Sequence, residues 1–149
     1  MTSVAEVQRA VEALWPAATA EEWDAVGLVA GDPADEVTRI LLAVDAVEAT
    51  AAEAVERGAG LLLVHHPLLL RGVSSVAATT PAGRVITRLV RERVALLAAH
   101  TNADVVDRGT SGELASMLGL AGAEPIVVNR VDGAKGLGRV GTLPAAVPL

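Results

Sequence analysis

The sequence predicts an α/β fold in which a mostly parallel sheet is flanked by helices. Three apolar runs, at residues 39–46, 60–67 and 95–104, have the length and composition of strands in such a sheet. Helical patterns separate these runs, and a β-α-β-α-β order favours right-handed crossovers between parallel strands. With 149 residues, the chain is predicted to form a single domain over residues 1–149.

The first predicted element is an amphipathic helix. Ser3 and Glu6 form an S-x-x-E capping box at its start. Apolar side chains then recur at helical spacing, at Val4, Val7, Val11 and Leu14. Because proline interrupts a helix, we expect this one to end before Pro16.

Turn and cap residues define the other elements. Gly58 is typical of a helix C-cap, and Pro81 is typical of a first helical turn. The run at 39–46 has the continuous apolar character of a strand covered on both faces. Around the three strands, the pattern predicts a strand or loop at 21–33, helices at 47–59 and 81–94, a short helix at 112–120 and a β-like stretch at 125–129.

Composition excludes several classes of function. The chain has no cysteine, so a metal site must use imidazole and carboxylate ligands. The net charge of −6 and the absence of a Lys/Arg run argue against a nucleic-acid partner. The N-terminus resembles no signal peptide, and every apolar run falls short of the about 20 residues that a membrane span needs. We therefore expect a soluble, cytoplasmic protein with no membrane partner.

Polar residues follow the ends of the predicted strands. They include all three histidines of the chain, and they are Asp45, His65, His66, His100 and Asp104. Because the carboxyl ends of parallel strands meet at one rim of a sheet, we expect these residues to gather there. Imidazole and carboxylate ligands suit divalent Zn, Mn, Fe, Co or Ni.

The adjacency of His65 and His66 bears on how they could bind metal. Neighbours within a strand point to opposite faces, but just past the strand, where Pro67 favours a turn, both rings can converge. Two rings aimed slightly apart could each hold one ion of a metal pair. The alternative is that both are hydrogen-bonded polar residues at a strand end with no ligand.

Three segments in this order resemble a known family. They are "EEWDAVGLVAGD", "LLLVHHPLLL" and "LLAAHTNAD", and the similarity extends to "GLGRVG" near the C-terminus. The family is that of the GTP cyclohydrolase type 2 homologs, the NGG-one interacting factor three-like proteins with a dinuclear metal centre. The resemblance implies the N-terminal half of the family's α/β fold, with His65, His66 and Asp104 as metal ligands.

The resemblance also suggests roles for four further residues. His100 matches a motif residue near the site and is the candidate catalytic residue, as a ligand, an orienting group or an acid/base. Trp23 and Asp24 are candidate substrate contacts, although Trp23 could instead pack over the core and Asp24 could cap a turn. Asp45 is a candidate substrate contact or a support for the ligands, or simply a turn residue at the strand end.

By this resemblance, the first functional hypothesis is a dinuclear metal-dependent hydrolase with a small-molecule substrate, either nucleotide-like or a cyclic amide. Metal-activated water would attack the substrate while a second ion steadies the developing negative charge. The alternative is a non-catalytic metal-binding scaffold or regulatory assembly protein. The family further implies a homo-oligomer in the form of a hexameric ring.

Two further predictions concern the C-terminal part of the sequence. The family's remaining ligands, a His and a Glu, come from a segment not found in this sequence, so we expect an N-terminal fragment that binds at most one ion per chain. The segment "GLGRVG", residues 136–141, matches the sequence pattern G-x-G-x-x-G. Because Pro144 opposes the helix that a dinucleotide site requires, we expect a glycine-rich turn that binds no dinucleotide.

Overall fold

The structure, a computed structural model, describes residues 1–146, and the last three residues of the predicted domain lie outside the described part. Its helices are α1 (Val4–Leu14), α2 (Glu48–Glu56), α3 (Pro81–Arg91), α4 (Thr101–Val105) and α5 (Thr110–Met117), with a 3₁₀ turn at Ala17–Thr19. Its strands are β1 (Thr2–Ser3), β2 (Gly27–Ala30), β3 (Glu36–Val37), β4 (Ile40–Asp45), β5 (Leu61–His66), β6 (Ala95–Ala98), β7 (Ala121–Glu124), β8 (Val127–Val128), β9 (Gly136–Leu137) and β10 (Val140–Thr142).

The main sheet is mixed. Its strand order is β2-β6-β5-β4, in which β4, β5 and β6 run parallel and β2 pairs antiparallel with β6. The pairs β1–β3, β7–β10 and β8–β9 form small antiparallel ribbons. The α/β class is therefore confirmed, whereas a mostly parallel sheet is not, because only the β-α-β-α-β part follows that pattern.

Helices cover both faces of the main sheet. Since successive residues of a strand point to opposite faces, each strand contributes to two cores. Leu62 and Leu96 lie fully buried in the cluster formed with α2 and α3. Leu61 and Leu97 pack on the other face, where Val4 of α1 reaches them. This packing fixes β5 and β6, the strands that lead into the histidines.

The edge strand β4 departs from its prediction. It was expected to be covered on both faces, but Ile40, Leu42 and Val44 are 41%, 71% and 58% exposed. β4 lies at the edge of the sheet, and the buried cluster that includes α1 contains no residue of this strand. Within residues 1–146, only the face of β4 that carries Leu41 and Ala43 packs against a buried cluster, and the opposite face is exposed.

The predicted helix ends are formed by the expected groups. Glu6 Oε2 accepts a hydrogen bond from the Ser3 amide at 2.8 Å, while Ser3 Oγ accepts one from the Glu6 amide at 3.3 Å. Pro81 opens α3, and Gly58, at φ +63°, follows the end of α2. The short helix α5 begins at Thr110, ahead of the predicted segment. None of the helices described in residues 1–146 is long and apolar enough to cross a membrane.

The third strand is shorter than predicted. The run at 95–104 was predicted as the third strand, with His100 and Asp104 at its end, but β6 ends at Ala98 and residues 101–105 form α4. The polar residues Thr101 and Asn102 are buried, at 4% and 3% exposure, and the Thr101 amide donates to Asp24 Oδ2 rather than to a neighbouring strand. Asp104 is consequently presented by a helix beyond the end of the strand.

Candidate metal centre

The three histidines of the chain lie together at the carboxyl ends of β5 and β6. His65 and His66 end β5, and His100 lies two residues beyond β6. The ring centre of His65 is 5.0 Å from that of His66 and 5.0 Å from that of His100. One ring nitrogen of each histidine lies within 4.8 Å of the others, which is a spacing at which they could hold a metal ion.

Each of these imidazoles is oriented by a hydrogen bond to Nδ1. The partners are the Ala99 carbonyl for His65 at 3.1 Å, Asp45 Oδ1 for His66 at 2.8 Å and Asp24 Oδ1 for His100 at 2.9 Å. A carbonyl and an ionised carboxylate can only accept, so in each case Nδ1 carries the proton and donates. The Nε2 lone pair of each ring is then available to a metal ion, which is the usual arrangement of metal-binding histidines.

Asp104 brings a carboxylate to the cluster. Its Oδ1 lies 3.7 Å from Nε2 of His65, and both side chains are mostly buried. Three imidazoles and one carboxylate match the ligand preferences of borderline divalent ions such as Zn²⁺. Among the described residues, the three histidines are spaced so that they could hold one metal ion, and Asp104 lies beside one of them. Metal coordination by His65, His66 and Asp104 stays a prediction.

Asp24 is the most enclosed acidic residue of the site. Its side chain is fully buried, and Oδ1 accepts hydrogen bonds from His100 Nδ1 and from the Ala25 amide at 2.7 Å. Oδ2 accepts from the Thr101 amide at 3.0 Å and from the Thr101 hydroxyl. Burial raises the pKa of this carboxyl, but the hydrogen bonds from Thr101, His100 and the backbone outweigh it, so the pKa lies below its ordinary value.

The predicted substrate contacts differ in their access to solvent. Trp23 is 57% exposed, and its ring meets that of His100 edge-on at 5.9 Å. Asp45 is also largely exposed, although it supports His66. Asp24 is enclosed, which favours orientation of His100 over contact with a substrate. Substrate contact by Trp23, Asp24 or Asp45 stays a prediction.

Sequence reasoning missed the supporting roles of Thr101 and Asn102. Asn102 Oδ1 accepts from the His100 amide at 2.9 Å, and its Nδ2 donates to the Trp15 carbonyl at 2.7 Å. Together with the Asp24–Thr101 contacts, these bonds fix the start of α4 against the N-terminal segment. The signal in the sequence was the polar run at 100–102, which follows an apolar strand. Polar side chains are costly to bury unless they are hydrogen-bonded, so such a run indicates hydrogen-bond partners elsewhere in the chain.

Asp24→Asn is expected to lower the free energy of unfolding by about 2 kcal/mol at pH 7, because an amide nitrogen would face buried donors. The folded-state pKa of Asp24 lies below its ordinary value of 3.8, so its stabilising effect is complete above that pH. The effect is lost as the pH falls through the folded-state value. Urea unfolding from pH 7 to pH 3 should therefore show a weaker acid dependence in the variant.

The matched control is Asp32→Asn, a change in an exposed turn whose carboxylate accepts one backbone hydrogen bond. We expect it to alter the free energy of unfolding by less than about 0.5 kcal/mol. If Asp24→Asn and Asp32→Asn changed the free energy of unfolding equally at every pH, the hydrogen bonds to the Asp24 carboxylate would not stabilise the fold.

The fold and the site together define an α/β protein whose sheet rim carries a histidine-carboxylate cluster suited to a divalent metal ion. A profile of the family Duf34/NIF3 (NGG1p interacting factor 3) matches residues 2–149. The chain belongs to this family.

Curated relatives with similar sequences support this assignment. The chain is 52% identical over 142 residues to the GTP cyclohydrolase 1 type 2 homolog of Streptomyces coelicolor, covering 94% of this chain and 50% of that protein. It is 49% identical over 117 residues to the homolog of Mycobacterium tuberculosis, covering 78% of this chain and 30% of that protein. The chain thus spans half or less of the length of these relatives.

Solved structures agree in fold. A Bacillus cereus protein related to NIF3 superposes with a TM-score of 0.81 at 30% identity, over 86% of this chain and 36% of that one. The Staphylococcus aureus protein SA1388 superposes with a TM-score of 0.79 at 36% identity, over 85% of this chain and 41% of that one. The family resemblance drawn from the sequence motifs is confirmed.

Proposed function

We propose that this chain binds a divalent transition-metal ion through His65, His66, His100 and Asp104, and that the centre serves a metal-dependent hydrolase. The observation that carries the proposal is the common use of Nδ1 as a donor by all three histidines, which leaves each Nε2 available. A cluster of merely surface-exposed histidines has no need of this shared arrangement.

The residues around the cluster have separate tasks in this proposal. A bound divalent ion supplies Lewis-acid activation of water and stabilises developing negative charge. Asp24 and Asp45 hold the rings of His100 and His66 and keep the proton on Nδ1. Trp23 offers an exposed aromatic surface beside the rim, against which a planar substrate can stack.

The substrate class we propose is nucleotide-like or a cyclic amide. The names of the curated relatives support a nucleotide, and the exposed indole of Trp23 supports a flat ring system. Among residues 1–146, we propose donors for one ion only, with the three histidines supporting this because they could hold a metal ion. The second ion of a dinuclear centre, which we also propose for the hydrolase, requires donors beyond them.

A non-catalytic metal-binding scaffold is the second candidate. The observation in its favour is the exposure of His66 and Asp45, whose side chains are 53% and 58% exposed. An open rim of this kind is accessible to a macromolecular partner as well as to a small substrate.

Turnover separates the two candidates. We expect the chain with one bound Zn²⁺, Mn²⁺ or Co²⁺ ion to show no turnover, and the two-ion form, with the remaining donors supplied, to hydrolyse at least one member of a panel of nucleoside triphosphates and cyclic amides. The activity of the two-ion form should be lost on chelation, which removes the ions, and in His66→Ala, which removes a ligand, and it should be kept in Glu56→Ala, a change at an exposed residue. Two bound ions without turnover on any member of the panel would favour the scaffold.

A further inference from the structure

The segment "GLGRVG" encloses an arginine. Residues 136–141 form β9, a turn and the start of β10, and within the described chain no helix follows them. The Arg139 side chain is only 6% exposed. Its Nη1 donates to the carbonyls of Gly136 at 2.6 Å and Gly138 at 2.7 Å. Its Nη2 donates to the carbonyls of Val105 at 3.3 Å and Val106 at 3.2 Å.

The glycines of this segment explain how it surrounds the guanidinium. Gly138 has φ +65°, a left-handed conformation that favours glycine. A Cβ on Gly136 would lie 2.0 Å from the Val127 carbonyl oxygen, so only glycine permits β9 to pair with β8 there. The motif thus builds a turn whose carbonyls face an arginine.

The other side of the same guanidinium meets the end of α4. This helix has only five residues, and so short a helix gains little stability by itself. Its last carbonyls need partners from outside, and a planar guanidinium, with its donors in a fixed fork, supplies them. Asp107 adds little, because its exposed carboxylate is 3.7 Å from Nη2.

Asp104 lies immediately before Val105, whose carbonyl Arg139 holds. Thr101 and Asn102 fix the first turn of α4, as described above, and Arg139 fixes its end. The position of the Asp104 carboxylate relative to His65 therefore depends on both ends of the helix being held.

We propose that Arg139 is a positioning residue of the metal centre, which acts through α4 on Asp104 and touches neither the ion nor the substrate. This inference rests on the proposed function, in which Asp104 is a metal ligand. It gives the "GLGRVG" segment a structural role at the metal centre.

A double-mutant cycle on metal affinity tests this role. The affinity for Zn²⁺ is measured by competition with a chromophoric chelator for the unmodified chain, Arg139→Met, Asp104→Ala and the double variant. We expect Arg139→Met to weaken binding about tenfold, as for other residues that support ligands. In the Asp104→Ala background the same change should have less than about a twofold effect, because the residue it positions is gone.

Two further variants keep the test decisive. Arg130→Met, which removes an exposed arginine from the same C-terminal segment, should leave the affinity unchanged. If Arg139→Met does not fold, as judged by circular dichroism, the cycle is run with Arg139→Lys. Lysine keeps the charge but not the fork, so we expect a smaller loss that again disappears with Asp104→Ala.

The outcomes separate this inference from the proposed function. No Zn²⁺ binding by the unmodified chain would overturn both. Binding that Asp104→Ala does not weaken, or that Arg139→Met leaves unchanged, would overturn the positioning role and leave the histidine centre standing. Equal losses from Arg139→Met in both backgrounds would also overturn it, since the arginine would then act without Asp104.

Discussion

His65→Ala is expected to weaken Zn²⁺ binding by about a hundredfold or more. The ring centre of His65 lies 5.0 Å from those of both other imidazoles, which are 5.6 Å from each other, and its Nε2 lies 3.7 Å from Asp104 Oδ1. Structural zinc sites with four ligands bind with about 10–16 kcal/mol, so the loss of one ligand of four is worth about 3 kcal/mol, or roughly two powers of ten in affinity. Isothermal titration calorimetry on the apo chain measures the effect directly.

The control for this prediction is Glu56→Ala, which removes an exposed carboxylate near the start of β5, at the opposite end of that strand. It should bind Zn²⁺ as the unmodified chain does. A similar affinity for His65→Ala and Glu56→Ala would mean that the ion binds elsewhere on an acidic surface.

Leu96→Ala is expected to lower the free energy of unfolding by about 3 kcal/mol, because it leaves a cavity in a fully buried part of the core. Leu96 lies on β6 and belongs to the buried cluster that the sheet forms with α2 and α3. For a chain of this length, such a loss corresponds to a melting temperature lower by roughly 10 °C. Urea and thermal unfolding of the apo chain measure it.

Leu42→Ala makes the same chemical change in the same sheet, at a side chain that is 71% exposed. We expect it to alter the free energy of unfolding by less than about 0.5 kcal/mol. Equal losses at the two positions would contradict the described difference in burial between β4 and β6.

The sequence predicts well those elements whose signals are local. The capping box at Ser3 and the proline at the start of α3 set helix ends through nearby backbone groups, and both occur as expected. The direction of β2 has no such signal. This short strand pairs with β6, far along the chain, and that tertiary pairing makes it antiparallel.

The same difference between local signals and long-range contacts decides which parts of the candidate site could be predicted. Parallel strands bring His65, His66 and His100 to one rim, and this gathering follows from topology alone. Their orientation does not, because His100 takes its partner Asp24 from a loop 76 residues away. The helix that carries Asp104 was likewise hidden, since its buried polar start depends on Asp24 and Trp15.

Anomalous diffraction from crystals of the chain grown with Zn²⁺ tests the central claim most directly. We expect one strong peak per chain at the rim, about 2.0–2.1 Å from Nε2 of the coordinating histidines, with Nδ1 of His100 still bonded to Asp24 and Asp104 in the coordination sphere. Coordination through Nδ1 with loss of the Asp24 and Asp45 hydrogen bonds, or a peak away from the three histidines, would contradict the account.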